Sequence, residues 1–417
     1  MLFGYYYYYY YFVIVILLIL LFGDYMLIKN SLDEMKKREI SLKVIKSIID
    51  KKGKNSLCDL TGLSGGFLAK QNDLNLLETY IGPAIFEEEL QIVGKEHLGG
   101  EKIFAANRTS SGILATILAI VKKNTSVIHF LPEFPSHPSI PRSCKLVGAK
   151  YLEFDNVDDF KNNFLEDTSL VIITGSTMDH KILEIDDFKD IIGIAKNNNI
   201  PVLVDDASGA RLRTAIYFQD KATDLGGADL VVTSTDKLMM GPRGGLMAGK
   251  SELIDKIKTK AHQFGLEAQP PSILAMVKGL EEYDENNLRK SLSKKEKLVI
   301  LVDSSFSMFE ETPTGIMVSE KSLEKEVLLN NEINPNISSK DLCFLWAMIL
   351  LKEENIITIP AVSMPGASPT IRFDLAANDA KNLDINLLFD KINSSFKTLL
   401  TASKDESLAR KVLFNIE

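Results

Sequence analysis

One lysine follows a short apolar run near the middle of the chain. The run DLVVTS (229–234) ends at Ser234 and precedes Thr235, Asp236, Lys237 and a glycine-rich GPRGG. Lysine is rarely buried without a task, and desolvation lowers the pKa of a buried amine. A neutral amine is a competent nucleophile toward an aldehyde, so Lys237 is the first candidate catalytic residue.

An acidic residue ends another apolar run 32 positions earlier. PVLVD (201–205) is followed by DASG (206–209). A carboxylate at a strand end can bind a metal ion, a ribose hydroxyl or a protonated ring nitrogen. Asp205 is the candidate because it directly ends the run, and Asp206 is its competitor.

Three other segments carry polar side chains that could hold an anion or face a planar ring. NRTSSG (107–112) opens a predicted helix, and the free N–H groups of a helix start bind phosphate. His137 follows the run 125–131 in a proline-rich loop, and Thr177 follows the run 169–174. Taken singly, each feature is more typical of a helix cap or a surface loop than of a site.

Together these residues match the requirements of pyridoxal 5′-phosphate (PLP). PLP needs a lysine for its aldehyde, a carboxylate that keeps the pyridine nitrogen protonated, a flat group on the ring and a phosphate site. The chain supplies them in the order phosphate site, stacking group, carboxylate and lysine. The residues therefore predict PLP bound as a Schiff base on Lys237.

The elements that must position these residues alternate between strands and helices. Apolar runs rich in Val and Ile at 125–131, 169–174, 201–205 and 229–234 are typical of buried parallel strands. Helical patterns between them, such as 186–198, predict an α/β fold with a mainly parallel sheet. Ligands bind at the carboxyl ends of such strands, where the polar residues would meet.

The 417-residue chain divides into several predicted segments. We predict an N-terminal helix and Gly-rich loop over 29–69, a large PLP-binding domain over 70–283, and a small α+β domain over 295–417. The polar stretch 284–297 is taken as the junction between the two domains. Predicted strands of the small domain lie at 298–302, 314–319 and 370–375, with helices at about 339–352 and 383–400.

Residues 1–28 differ in composition from the remainder of the chain. They contain MLFGYYYYYYYFVIVILLILLF, which is uncharged and long enough to cross a bilayer. A membrane anchor and a signal peptide are two interpretations; we favour upstream sequence before a start at Met26. The prediction is then a cytoplasmic protein, with a membrane as partner only if residues 1–28 are translated.

Charge and cysteine content narrow the class of partner. The net charge of −8 is spread along the chain without a long basic block, which opposes a nucleic-acid partner. Cys58, Cys144 and Cys343 are far apart and in no metal-ligand spacing. We therefore predict reduced thiols and no metal site.

The motifs around the candidate residues resemble those of fold-type-I PLP enzymes. In particular they resemble bacterial L-seryl-tRNA(Sec) selenium transferase and its archaeal PLP-dependent relatives, whose pattern is matched at 98–112, 205–209 and 236–245. The α-oxoamine synthases are similar too, with the same separation between aspartate and lysine. The resemblance implies an aspartate-aminotransferase-like fold and a homodimer or larger homo-oligomer.

Carried over to this sequence, the resemblance makes Lys237 the internal aldimine and Asp205 the partner of the ring nitrogen. Ala207 would pack on one face of the ring and His137 on the other. Ser208, also assigned to the cofactor site, replaces a histidine of the α-oxoamine synthases, which puts their acyl chemistry in doubt.

The same resemblance assigns the phosphate and the ring hydroxyl. Ser234 and the turn of Thr109, Ser110 and Ser111 would hold the phosphate, and Thr177 would lie near the hydroxyl. Without residues 1–28, the N-terminal portion is shorter than the one that bacterial selenium transferases use to grip tRNA, which counts against tRNA as a partner.

Two arginines are candidates for an anionic group of the substrate. A guanidinium suits a carboxylate, and we assign Arg372 and Arg243 to this role, with Arg211 as a weaker candidate. An ion pair at the surface is the alternative role for Arg372. By resemblance the reaction is β-elimination or replacement on an amino acid or aminoacyl substrate; transamination and retro-aldol cleavage would use the same residues.

Two alternatives belong to other functional classes. GGLMAGKS (244–251) fits the Walker A pattern of P-loop NTPases. A P-loop needs its glycines in a loop between strand and helix, whereas GLMAG is typical of a short buried strand. The second alternative is a homologue that keeps the PLP fold only for binding, since fold does not guarantee activity.

Overall fold

The computed structural model describes residues 26–63, 65–224 and 227–415. Residues 1–25, which hold the whole uncharged N-terminal run, lie outside these ranges, so the interpretations of that run are not addressed by the structure. In the described part of the chain, no helix is both long and apolar enough to cross a membrane.

Strands and helices alternate through much of the chain. The strands are β1 (Cys58–Asp59), β2 (Lys102–Ala106), β3 (Ser126–Phe130), β4 (Lys150–Phe154), β5 (Thr168–Thr174), β6 (Val202–Asp205), β7 (Leu230–Ser234), β8 (Gly245–Gly249), β9 (Glu310–Thr312), β10 (Gly315–Val318), β11 (Ile356–Ile357) and β12 (Ile371–Asp374). The helices are α1 (Ser31–Lys52), α2 (Gln71–Leu74), α3 (Ile81–Leu98), α4 (Thr109–Ile120), α5 (Ser139–Val147), α6 (Val157–Asn162), α7 (Ile185–Asn197), α8 (Gly209–Ala215), α9 (Ser251–Phe264), α10 (Pro270–Glu281), α11 (Glu285–Asp303), α12 (Glu320–Asn330), α13 (Ser339–Glu354), α14 (Ile359–Val362), α15 (Ile385–Ala402) and α16 (Glu406–Phe414).

Seven strands form the central sheet in the order β2-β8-β7-β6-β5-β3-β4. Strand β8 runs antiparallel to both neighbours, and the other pairs are parallel. The predicted mainly parallel sheet is therefore confirmed. Strands β2 and β4 were not predicted, because both lie at an end of the sheet and lack the long apolar runs of the central strands.

Helices cover both faces of this sheet. One apolar core lies between the sheet and helices α3, α7 and α10, and includes Phe86, Phe188 and Ile273. The opposite core lies under α4, α5 and α9, and includes Ile117 and Ile257. Burial on both faces explains why the central strands are apolar at almost every position.

A separate core joins the two ends of the described chain. Helix α13 is buried along most of its length and packs against α15, with the Trp346 indole donating to Ser395 Oγ at 3.0 Å. The N-terminal residues belong to this core, because Leu27 and Ile28 are buried and their N–H groups donate to the Asp341 carboxylate. The predicted boundary between residues 28 and 29 therefore does not hold for Leu27 and Ile28, which pack with the rest of the chain.

The predicted strand at 298–302 is also wrong. These residues are the end of helix α11, which begins in the polar stretch that we took as a junction. Leu298 and Val302 are buried one helical turn apart, whereas Ile300 between them is 71% exposed. A run that is apolar by composition is thus buried on one side only, as in a surface helix.

Candidate active site

A cavity of about 180 Å³ lies at the carboxyl ends of β6 and β7. Most of the predicted site residues line it, although they come from distant parts of the chain. These are Thr109, Ser110, His137, Asp205, Ala207, Ser234, Lys237, Arg243 and Arg372. The parallel strands β3, β6 and β7 bring His137, Asp205, Ala207, Ser234 and Lys237 to one edge of the sheet, as the alternation predicts.

Lys237 is largely buried in the wall of this cavity. Burial lowers the pKa of its amine, and the positive charge of Arg372 lowers it further, while Asp236 and Asp205 oppose the shift. The next residue, Leu238, has a left-handed φ of 58°, which non-glycine residues rarely adopt. A strained backbone beside a desolvated amine is typical of a functional site.

Asp205 and Asp206 point in different directions. Asp205 lines the cavity, its Oδ1 is buried without a hydrogen-bond partner, and burial raises the pKa of its carboxyl to about 6. Asp206 instead lies 3.3 Å from Arg213 Nε in a fully buried ion pair. Asp205 is therefore the aspartate that is available to a ligand in the cavity.

The first turn of α4 and the end of β7 form one end of the cavity. Thr109 and Ser110 line it, whereas Ser111 does not. The Ser234 hydroxyl donates to Asp236 Oδ1 at 2.5 Å, and Arg243 Nε lies 3.5 Å from the other oxygen of that carboxylate.

Two further predicted cofactor residues, besides Ser111, lie outside the cavity. Thr177 closes a turn, since its hydroxyl accepts from the Lys181 N–H at 3.1 Å. The Ser208 hydroxyl is buried against Ser176 Oγ at 3.1 Å. Both residues sit at strand ends as expected, but the local turns direct their hydroxyls elsewhere.

His137 lines the cavity. Its Nδ1 lies 2.7 Å from Ser139 Oγ. Desolvation, followed by the charges of Lys237, Arg142 and Arg108, lowers the pKa of the imidazole to about 4. The ring is therefore neutral at pH 7 and suited to pack on a flat ligand.

Arg372 is almost fully buried and reaches the cavity from β12. Its Nη1 donates to Met178 O at 2.5 Å and its Nη2 to Thr61 O at 3.1 Å. Nε has no hydrogen-bond partner among the described residues and lies 3.9 Å from Asp374 Oδ2. This position in a buried strand excludes the alternative of a surface ion pair.

The sequence did not single out two charged residues that line the cavity. Arg108 precedes the first turn of α4, and Asp179 follows β5. The signal for Asp179 was present, because it lies two residues after Thr177 at the end of a predicted strand.

The Gly-rich segment at 61–66, with Ser64 outside the described residues, lies against the lysine of its own chain. The Leu238 N–H donates to Gly62 O at 3.2 Å. Gly65 packs so closely on Asp236 that a Cβ there would lie 2.9 Å from the Asp236 Cα. The N-terminal segment thus covers the loop that carries Lys237.

Residues 244–251 do not form a P-loop. Residues 245–249 are strand β8 inside the sheet, and Lys250 pairs with Asp229 Oδ1 at 2.5 Å. Backbone N–H groups that are paired in a sheet cannot cradle a phosphate, so the NTPase alternative fails.

Comparisons with known proteins agree with this architecture. The family model "L-seryl-tRNA selenium transferase" matches residues 144–310, and the model "UPF0425 C-terminal domain" matches residues 305–384. Among solved structures, the aspartate aminotransferase of Thermotoga maritima has a TM-score of 0.56 at 15% identity, covering 88% of this chain and 97% of that chain. N-Succinyldiaminopimelate aminotransferase from Mycobacterium tuberculosis has a TM-score of 0.56 at 14% identity, covering 87% and 96%. These structures confirm the aspartate-aminotransferase-like fold.

Relatives at higher sequence identity match between about half and nearly all of the chain. A "UPF0425 pyridoxal phosphate-dependent protein" of Methanosphaera stadtmanae is 48% identical, covering 92% of this chain and 99% of the relative. The L-seryl-tRNA(Sec) selenium transferase of Alkaliphilus oremlandii is 24% identical over 54% of this chain and 51% of its own length. A UPF0425 protein of Methanothermobacter thermautotrophicus is 49% identical over 93% of this chain and all of the relative. The chain therefore belongs to the UPF0425 pyridoxal phosphate-dependent protein family.

Proposed function

We propose that this chain is a PLP-dependent enzyme that holds its cofactor on Lys237 and acts at the α-carbon of an amino-acid-like substrate. One observation carries the proposal: the Lys237 amine and the Asp205 carboxylate face the same cavity, and Asp205 Oδ1 is buried without a partner among the described residues. A buried acceptor without a donor is costly. The protonated pyridine nitrogen of PLP is the donor that would satisfy it.

The other lining residues fit the rest of PLP. The first turn of α4 brings the hydroxyls of Thr109 and Ser110, and the positive end of a helix, to one end of the cavity. Ser234 would join this phosphate site. Ala207 and His137 would pack on the ring.

Each residue then has a chemical task. When bound, PLP supplies an electron sink that stabilises negative charge at the substrate α-carbon. Lys237 Nζ, whose pKa is lowered, takes the α-proton and returns it. Asp205 keeps the ring nitrogen protonated. Arg372 binds the substrate carboxylate through the guanidinium N–H groups that its two bonds to backbone carbonyls leave free.

For the reaction type, we propose β-elimination or replacement on a seryl-type or cysteine-type substrate. The support is the match to the selenium transferase family over 144–310, a range that contains both Asp205 and Lys237. Transamination or retro-aldol cleavage would use the same residues. The net charge of −8 weighs against tRNA as a substrate.

A homodimer is the proposed assembly. The segment that leads into the first residue of α3 exposes several large apolar side chains, and such side chains are typical of an interface. They are Phe67 (67% exposed), Leu74 (45%), Tyr80 (88%) and Ile81 (43%). Sedimentation of the full chain should give twice the mass of the monomer.

The first test is the site of cofactor attachment. The full chain with PLP should absorb visible light, and borohydride followed by peptide mass analysis should place a pyridoxyl group on Lys237. Lys237→Ala should abolish both signals. Lys250→Ala is the matched control, because Lys250 is exposed and outside the cavity. A pyridoxyl group on another lysine would overturn the assignment.

The second test identifies the reaction. The PLP-loaded chain is mixed with single amino acids while visible spectra and released products are recorded. Pyruvate or ammonia from serine or cysteine supports elimination, and a 2-oxo acid that keeps the substrate carbon skeleton supports transamination. Unchanged spectra with every amino acid, including aminoacyl esters, would contradict an enzyme of this substrate class.

A further inference from the structure

Arg211 is a fully buried cation whose hydrogen-bond partners are neutral groups. Its side chain, in helix α8 beneath the cavity, is 0% exposed. Within residues 26–63, 65–224 and 227–415, no carboxylate lies within ion-pair distance of its guanidinium. A buried charge without a counter-ion costs several kcal/mol, so its retention here indicates a use. The sequence had suggested Arg211 for binding the substrate, but it does not line the cavity.

The guanidinium joins the ends of the two strands that carry the site. Nη2 donates to Ala207 O at 2.9 Å, to Thr233 Oγ1 at 3.0 Å and to Ser234 O. Ala207 follows Asp205 after β6, and Ser234 ends β7 three residues before Lys237. Arg211 therefore holds together the two strand ends that bear the proposed catalytic residues.

The other side of the guanidinium also meets neutral groups. Nη1 donates to His97 Nε2 at 3.1 Å and contacts Met239 Sδ at 3.4 Å. Burial, followed by the charges of Arg211 and Lys221, lowers the pKa of His97 to about 3, so the imidazole is a neutral acceptor.

The carboxylates that act on Arg211 from a distance are engaged elsewhere. Asp206 pairs with Arg213, and Asp236 accepts from Ser234 and pairs with Arg243. The charge of Arg211 is therefore not neutralised locally, and in a low-dielectric interior it acts on neighbouring groups.

We propose that Arg211 is a positioning residue of the lysine site: its guanidinium fixes the spacing between the ends of β6 and β7, and its buried charge opposes a second positive charge on Lys237 Nζ. The inference rests on the proposed function. Burial and then the charge of Arg372 lower the pKa of Lys237 most, Asp236 and Asp205 oppose them, and Arg211 adds a smaller effect in the same direction as Arg372. The other titratable groups that interact with Lys237 are His137, Asp179 and His180.

The test places a carboxylate beside Arg211 without removing the arginine. His97→Glu would put an anion where Nη1 now meets a neutral ring, and His97→Gln is the uncharged control of the same length. The rate at which the full chain condenses with PLP, with loss of one water, is followed by visible absorbance from pH 6 to 10. Only the neutral amine attacks the aldehyde, so the midpoint of the rate profile reports on Nζ.

We expect His97→Glu to raise this midpoint by about one pH unit, which is a tenfold slower rate below the midpoint, while His97→Gln leaves it in place. Arg211→Met should raise it similarly, and Arg211→Lys should restore most of the wild-type profile. If Arg211→Met fails to fold, the comparison of His97→Glu with His97→Gln still tests whether the charge of Arg211 shifts the midpoint.

Two results would overturn the inference. One is a folded His97→Glu variant with the wild-type midpoint; the other is an Arg211→Lys profile that matches Arg211→Met. Pyridoxyl attachment to Lys237 in the wild-type chain is scored separately. If PLP does not attach there, the proposed function fails; if it attaches and the variants do not shift the midpoint, only the role of Arg211 fails.

Discussion

Gly65 packs closely against the loop that carries Lys237. A Cβ at this position would lie 2.0 Å from Gly241 O and 2.9 Å from the Asp236 Cα. Real Cβ atoms essentially never approach another heavy atom within 3.0 Å, so Gly65→Ala must move the two segments apart by about 1 Å. The φ of Gly65 lies outside the left-handed region, so the effect would come from space alone.

The displaced segment is the one that bears the proposed cofactor lysine. A displacement of about 1 Å can reduce a catalysed rate about 10²-fold. We therefore expect Gly65→Ala to weaken PLP binding at least ~10-fold and to slow any catalysed reaction ~100-fold. Overpacking costs about 1–3 kcal/mol, which leaves the distant cores intact and the chain folded.

PLP titration by visible absorbance, with thermal unfolding of the same samples, measures both effects. Gly66→Ala is the matched control, because a Cβ there would meet only Met240 Cε at 3.7 Å, an ordinary contact. If Gly65→Ala binds PLP as tightly as Gly66→Ala does, the N-terminal loop does not position the lysine.

Three other predictions concern buried charges. Burial lowers the pKa of Lys37 from 10.5 to about 7 in the folded chain. Between pH 7 and 10.5 the Lys37 amine is therefore protonated in the unfolded chain and neutral in the folded chain. The free energy of unfolding of the wild type, relative to that of Lys37→Met, should then rise with pH by up to about 1.4 kcal/mol per pH unit. Denaturant unfolding from pH 7 to 10 measures this rise. Burial raises the pKa of Asp205 from 3.8 to about 6, so the folded chain holds that proton more tightly and loses stability as pH rises through this window. Asp205→Asn should then stabilise the cofactor-free chain at pH 7 by about 3 kcal/mol while weakening PLP binding; a lower Tm at pH 7 would contradict this. Arg213→Met leaves Asp206 charged and unpaired, and should cost about 3–5 kcal/mol in urea unfolding, with Asp206→Asn as the partial rescue in the double variant.

The pattern of apolar and polar residues was sufficient to predict the class of fold and the place of the site. Strands that are buried on both faces are apolar at almost every position. The sequence alone therefore predicted strands β3, β5, β6 and β7 from their apolar runs. The polar residues that follow such strands lie at the carboxyl edge of the sheet, and this placement does not depend on how the rest of the chain packs. This is why Lys237 and Asp205 could be named together.

Which side chains face the cavity depends instead on tertiary packing. Asp206 turns away because Arg213 neutralises it in the interior, and Thr177 turns away because its hydroxyl closes a local turn. The run 298–302 became a helix because only one of its sides meets a core. The directions of Asp206 and Thr177 depend on the geometry of the turns that follow their strands, and the helix at 298–302 depends on contacts between segments far apart in the chain. Composition and spacing encode neither.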